Sequence, residues 1–276
     1  MKIAKIQESL INNPWLITQD AYLGMQFAFE KYIECGMAVD DEPDEGNLAR
    51  DYSTDNIAVV PVQGTLMRGV SPAVAKFFGI TDTAVLKDKI NALAEDDSVN
   101  GVLLDIDSPG GSASGISETA SAIAMLNKKK PVYASVEGTM ASAAYWLGAQ
   151  ARTIVASPSS KVGSIGVYLP VIDSTENYKA QGVKVELIKN KEAKYKGAGF
   201  DGTSLTEDQK QYLADMVQDI FKDFRGAVLS SRPSVPEEAM QGQVYLGGRA
   251  KSMQLVDVVG EFEDAIHLLN YDVKKY

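Results

Sequence analysis

The stretch Ala134-Ser135-Val136-Glu137-Gly138-Thr139-Met140-Ala141-Ser142-Ala143-Ala144-Tyr145-Trp146 decides how the chain is read. An apolar, β-branched run from Pro131 to Val136 predicts a strand, a glycine turn ends it, and the small-residue run that follows predicts a helix over about 141–150. Ser142 then stands at or near a helix N-terminus, where unpaired backbone N–H groups and the positive end of the helix dipole favour an anion. A serine in that place is either a structural cap or a nucleophile, and this stretch alone leaves both readings open.

Upstream, Gly101-Val102-Leu103-Leu104-Asp105-Ile106-Asp107-Ser108-Pro109-Gly110-Gly111-Ser112 repeats the plan: an apolar strand, a glycine-rich turn, then a helix over about 114–127. Gly110 and Gly111 accept positive φ and let bare backbone N–H groups approach a ligand, as an oxyanion hole or simply as a tight turn. Strands at 57–62, 101–107, 131–136 and 153–156 alternate with helices, including one at 83–95 marked by Leu86, Ile90 and Leu93. The alternation predicts an α/β fold with a mainly parallel sheet, βαβ crossovers and flanking helices, its turns converging at the carboxyl ends of the strands. Between Gly64 and Thr81 a loop is expected, whose Phe77 and Phe78 either meet a substrate or subunit or cover a local core.

Toward the N-terminus, residues 18–33 have helical periodicity, with Thr18 as N-cap and Tyr22, Met25, Phe29 and Tyr32 or Ile33 on one apolar face. Asp40-Asp41-Glu42-Pro43-Asp44-Glu45-Gly46 reads as a solvated linker. This suggests a helical appendage with its linker over 1–46 and the main domain over 47–276. Toward the C-terminus, Lys161–Tyr168 is a glycine-punctuated turn feeding a strand, and a helix near 174–182 and a strand at 183–189 follow. Beyond the lysine- and glycine-rich run 191–200, Thr206 and Gln209 form a capping box. Its helix carries Leu213, Val217, Ile220, Phe224 and Val228 on one face until Pro233. Short strands near 243–246 and 255–260 and a helix from Glu261 end the pattern.

The chain has 276 residues, 45% of them hydrophobic, which is ample for a packed core. Its formal charge of -10 argues against a nucleic-acid surface or an anionic membrane as main partner. Lys128-Lys129-Lys130 reads as a solvated turn. Cys35 is the only cysteine, so no intramolecular disulfide is available, and with a single histidine no zinc cluster forms; no metal or cofactor is expected. No run reaches a membrane span, and Met1–Glu8 lacks the apolar region of a secretory signal, so a cytoplasmic protein without a membrane anchor is expected.

The only histidine, His267, lies in a late amphipathic helix, so a Ser-His-Asp triad is not expected. A nucleophilic Ser142 would need another base, and lysine is the known substitute. A lysine acts as base only when neutral, which requires lowering an ordinary lysine by roughly 3 pK units, or about 4 kcal/mol, through burial. Lys194 and Lys196, beside Tyr195, are candidates, and Ser164 is a candidate for the hydroxyl that holds the amine.

These segments, with Gly163-Ser164-Ile165-Gly166-Val167, Lys194-Tyr195-Lys196 and Gly242-Gln243-Val244-Tyr245, occur in one order over about Ile57–Gly260. That set resembles the signal peptide peptidase A family of Ser-Lys proteases. The resemblance implies a Clp-protease/crotonase-like fold, Ser142 as nucleophile and a lysine from 194–196 as base. Lys196, with Gly199 three residues on, is the first choice and Lys194 the second. It also implies Ser164 as the lysine-orienting serine and Gly111 with the N–H of Ala143 as the oxyanion hole. Asn13-Pro14-Trp15-Leu16-Ile17-Thr18 resembles the shorter members encoded by tailed phages and prophages, which process head or portal proteins during capsid maturation.

The expected function is therefore a serine endopeptidase acting on a protein or peptide substrate through an acyl-enzyme, in the host cytoplasm or an assembling phage head. It is expected as a homo-oligomeric ring in which the lysine is supplied by the same or a neighbouring subunit. Three alternatives remain open at this point. They are degradation of signal peptides or membrane-protein fragments, a crotonase-like acyl-CoA enzyme using Glu118 and Glu137, and a catalytically inert head-assembly protein.

Overall fold

Gly101–Asp107 and Val132–Val136 are apolar apart from Asp105, Asp107 and Ser135, the composition of strands buried on both faces of a parallel sheet. The computed structural model describes residues 13–34, 51–52 and 56–275. In chain order these form β1 (Trp15–Ile17), α1 (Gln19–Glu34), β2 (Asp51–Tyr52), β3 (Ile57–Gln63), β4 (Thr65–Met67), α2 (Pro72–Phe78), β5 (Ile80–Asp82) and α3 (Thr83–Glu95). There follow β6 (Gly101–Asp107), β7 (Gly110–Ser112), α4 (Ile116–Lys129), β8 (Val132–Val136), β9 (Thr139–Ala141), α5 (Ala143–Gly148), β10 (Thr153–Ala156) and β11 (Lys161–Gly163). The remainder adds α6 (Thr175–Ala180), α7 (Glu207–Ser231), β12 (Val244–Leu246), α8 (Gly247–Ser252), β13 (Val258–Val259) and α9 (Phe262–Val273).

The central sheet has the order β13-β10-β8-β6-β3-β2, and all its pairings are parallel except β2 with β3. Helices connect its successive parallel strands, so the α/β class and the βαβ crossovers read from the sequence are present. Val102, Leu104 and Ile106 face Leu86, Ile90, Ile123 and Leu126 of the helices, while Leu103, Tyr133 and Val155 face Ala265 and Leu269 of α9. Complete burial of each such aliphatic side chain is worth about 1.5–3 kcal/mol, which makes this two-sided core the main source of stability.

Each of β3, β6, β8 and β10 then turns and continues into a short strand, β4, β7, β9 or β11, within one of two smaller sheets. One has the order β1-β7-β4-β5 and the other β12-β11-β9. The expected loop over 64–81 is thus replaced by β4, α2 and β5. Phe78 stacks on Phe29 of α1 with ring centroids 4.5 Å apart, so it covers a local core, whereas Phe77 stays half-exposed. The strand expected at 183–189 does not form: the alternating Val183, Val185 and Leu187 find no partner strand among the described residues, and Ile188 is 97% exposed. The helices expected at about 114–127 and 141–150 are Ile116–Lys129 and Ala143–Gly148. The linker at 40–46, Cys35 and the first eight residues lie outside the described residues, as does the side chain of Ile33.

At the C-terminal end of α7, Arg232 makes a two-pronged ion pair with Asp257, at 3.0 and 2.8 Å. Asp257 in turn accepts the N–H of Ile154 at 2.7 Å, tying the helix to β10. Because the Arg232 side chain is buried, its loss leaves a cavity and a half-exposed carboxylate without its cation. Arg232→Ala is expected to cost about 2 kcal/mol in urea unfolding, with the fold unchanged by circular dichroism.

Candidate active site

β6 and β8 are neighbours, so the turns that leave them meet. Ser108 N donates to Thr139 O at 2.7 Å and Ala141 N to Ser108 O at 3.1 Å. On its other edge β9 pairs with β11, Ala141 opposite Gly163, and Ser142 N donates to Gly163 O at 2.8 Å. Pinned on both edges, the chain must turn sharply to enter α5, and Ser142 absorbs the turn with φ 55° and ψ −119°. For a residue with a side chain that conformation costs on the order of 1–3 kcal/mol. A strained serine between strand and helix is also the seat of the nucleophile in many serine hydrolases, because it holds the hydroxyl clear of both elements. The flanking Ala141, Ala143 and Ala144 are all fully buried, which accounts for the run of small residues.

The backbone donors gather beside this turn. Gly110 has φ 101°, and a Cβ there would stand 2.0 Å from Leu16 O and 3.0 Å from Ala143 N, so only glycine fits. Gly111 is equally constrained, since a Cβ would stand 1.9 Å from Leu66 O. Ala143, the first residue of α5, has no acceptor for its N–H within the helix. Ser142 itself is 1% exposed, and its Oγ reaches Gly166 O only at 3.5 Å.

Ser164 follows β11, also with positive φ (52°), its N–H donating to Gln243 O at 2.6 Å. It lines a cleft of about 550 Å³ together with Ile17, Gly166, Tyr168, Phe221 and Met240. The structure thus gathers Ser142, Ser164, Gly111 and Ala143 around one turn. Lys194 and Lys196 are placed otherwise: both are exposed, no hydrogen bond joins either amine to Ser142, and the backbone oxygens of both accept from Lys189 Nζ at 2.8 and 3.2 Å. His267 is exposed on α9. Glu118 pairs with Arg68 at 3.4 Å, and Glu137 accepts the N–H of Phe262 at 3.4 Å, so each carboxylate is engaged elsewhere.

One element at the site was not foreseen. β1 pairs antiparallel with β7, setting Trp15, Leu16 and Ile17 opposite Ser112, Gly111 and Gly110. Its only sequence signal is a three-residue apolar run between Pro14 and Thr18, too short for any periodicity.

A buried serine on a strained strand-to-helix turn, beside amides that only glycine can expose, has the layout of a serine hydrolase. The chain belongs to peptidase family S49, which matches residues 124–275. The resemblance read from the motifs, to signal peptide peptidase A and its phage relatives, therefore holds. MJ0651 of Methanocaldococcus jannaschii, which bears a provisional protease name, is 39% identical over 183 residues, 65% of this chain and 58% of that protein. Capsid assembly protease C of Escherichia phage lambda is 29% identical over 237 residues, 84% of this chain and 53% of that protein. The chain thus spans less than two thirds of the length of either relative. Among solved structures it is similar to an enoyl-CoA hydratase of Mycobacterium smegmatis, with a TM-score of 0.47 and 15% identity over 85% of this chain and 76% of that one. No helix among the described residues is long and apolar enough to cross a membrane.

Proposed function

We propose that this chain is a serine endopeptidase with a Ser-Lys dyad. Ser142 is the nucleophile, and Lys196 takes its proton. The Ser142 oxygen attacks a peptide carbonyl, the amine leaves with that proton, and water then hydrolyses the acyl-enzyme. The N–H groups of Gly111 and Ala143 hold the oxyanion, each donor worth roughly 3–4 kcal/mol in a comparable protease. Ser164 holds the lysine amine, and Lys194 is the second choice of base. The domain over 47–276 carries this chemistry, with 1–46 as its appendage.

The observation that carries the reading is the strained backbone of Ser142 close to Gly110, whose missing side chain leaves room for a carbonyl oxygen beside Ala143 N, a place taken here by Leu16 O. Because Lys196 is exposed and unattached to Ser142 in its own chain, the amine arrives from a neighbouring copy in a homo-oligomeric ring. The cleft bordered by Ser164 is its point of entry. Likeness to the lambda capsid assembly protease favours head or portal proteins of a phage or prophage as substrates, cleaved in the host cytoplasm or the assembling head. Prolonged incubation with a fluorophosphonate is expected to label Ser142, located by peptide mass mapping; a Ser142 that stays unlabelled in the assembled protein however long the exposure would mean a catalytically inert assembly protein instead.

A further inference from the structure

We propose that the segment Pro14–Thr18 occupies the peptide-binding groove in the place of a substrate and holds the enzyme latent until it leaves. The proposal rests on the serine-peptidase reading above and adds its regulation.

Extended peptides bind to proteases and many other proteins by adding a strand to an exposed edge. Here the edge beside the candidate oxyanion hole is already filled. Thr18 N donates to Pro109 O at 3.1 Å and Ala113 N to Pro14 O at 3.2 Å. In an antiparallel ladder the bonded pairs alternate, so the pair between those two, Leu16 with Gly111, exchanges both bonds. Leu16 O therefore accepts the Gly111 N–H that a substrate carbonyl needs. Leu16 O and Ala143 N also crowd the same point beside Gly110, at 2.0 and 3.0 Å from where a Cβ would be.

The opposite edge of the segment is bound as well. Trp15 N donates to Tyr168 O at 2.8 Å and Tyr168 N to Trp15 O at 3.1 Å, two residues beyond the Gly166 carbonyl that Ser142 Oγ approaches. Both walls of the groove are thus satisfied by residues 14–18, and the backbone positions match those of a peptide whose Leu16–Ile17 bond is presented to Ser142. Trp15 and Leu16 are fully buried and Ile17 nearly so, in keeping with the 1% exposure of Ser142. The seat is imperfect, however: Trp15 Nε1 and Tyr168 Oη are both buried without a hydrogen-bond partner among the described residues. Departure of the strand would return both groups to water, which favours its release when a competing peptide or a neighbouring subunit arrives.

The test locks the strand reversibly. Trp15 and Ser112 face each other at a non-bonded position of the ladder, where Cα atoms approach closely enough for a disulfide. Trp15→Cys with Ser112→Cys, in a Cys35→Ser background, gives one protein with the strand locked when oxidised and free when reduced. The probes are a fluorophosphonate, and a fluorescent peptide of sequence Asn13–Gln19 offered to the same protein carrying Ser142→Ala. Expected are at least tenfold faster labelling and at least tenfold tighter peptide binding in the reduced form. Peptide binding that is absent, or equal in both forms, overturns the proposal, whatever the labelling. Redox-dependent peptide binding without labelling in either form sustains groove occupancy and overturns Ser142 as the nucleophile.

Discussion

Ser142→Ala is expected to lower peptide hydrolysis on the order of a millionfold, the effect of deleting the nucleophile in other serine proteases, while leaving thermal stability nearly unchanged. The second half of that expectation follows from the geometry. Among the described residues Ser142 Oγ has a single hydrogen-bond contact, to Gly166 O at 3.5 Å, the limit at which such a bond contributes. The anchors of the turn are backbone groups, Ser142 N to Gly163 O and Trp146 N to Ser142 O, which alanine keeps. The strain at φ 55° is also the same for alanine as for serine. A structural cap would behave in the opposite way, losing about 1 kcal/mol of stability with its side chain, yet no capping bond from this hydroxyl exists. Measuring cleavage of a fluorogenic peptide together with the melting temperature separates the two roles. Retained hydrolysis with Ser142→Ala would remove the serine from the mechanism.

How much of this was legible in the sequence depends on length scale. Largely apolar strands of seven and five residues, Gly101–Asp107 and Val132–Val136, announce themselves, and with the helices between them they specify the parallel sheet and the meeting of its turns. The capping box at Thr206 and Gln209 forms as read. The three-residue strands β4, β7 and β9 are too short for a period to show, so the strand-to-helix turn at Ser142 was expected without the strained strand end that creates it. The face of α7 shows a different limit. Phe224 and Val228 are buried and Phe224 stacks on Trp146 at 4.9 Å, but Leu213 and Val217 of the same face are only half-covered within this chain. Residues 183–189 fail in the same sense, their alternation being genuine while no strand among the described residues receives it. In both places the apolar pattern runs beyond the contacts made among the described residues.

That incompleteness leads to the second large effect. Ile188, Leu187, Tyr195 and Phe200, all exposed, surround the segment that carries Lys194 and Lys196, and apolar side chains concentrated on one projecting segment mark a surface for a partner. The second copy proposed above as the source of the lysine would fit this surface. If each ring site takes its serine from one subunit and its lysine from the next, Ser142→Ala and Lys196→Ala proteins should each be inactive alone. Dissociated, mixed in equal amounts and reassembled, they should recover about a quarter of wild-type hydrolysis, because in a head-to-tail ring a random neighbour pair has intact serine and intact lysine once in four. A lysine acting within its own chain predicts no recovery, since every subunit of the mixture then lacks one member of the dyad. Lys194→Ala, assembled alone, should keep most of its activity; if it is the inactive variant and Lys196→Ala is not, the base is Lys194, and the same mixing experiment is then run with that variant.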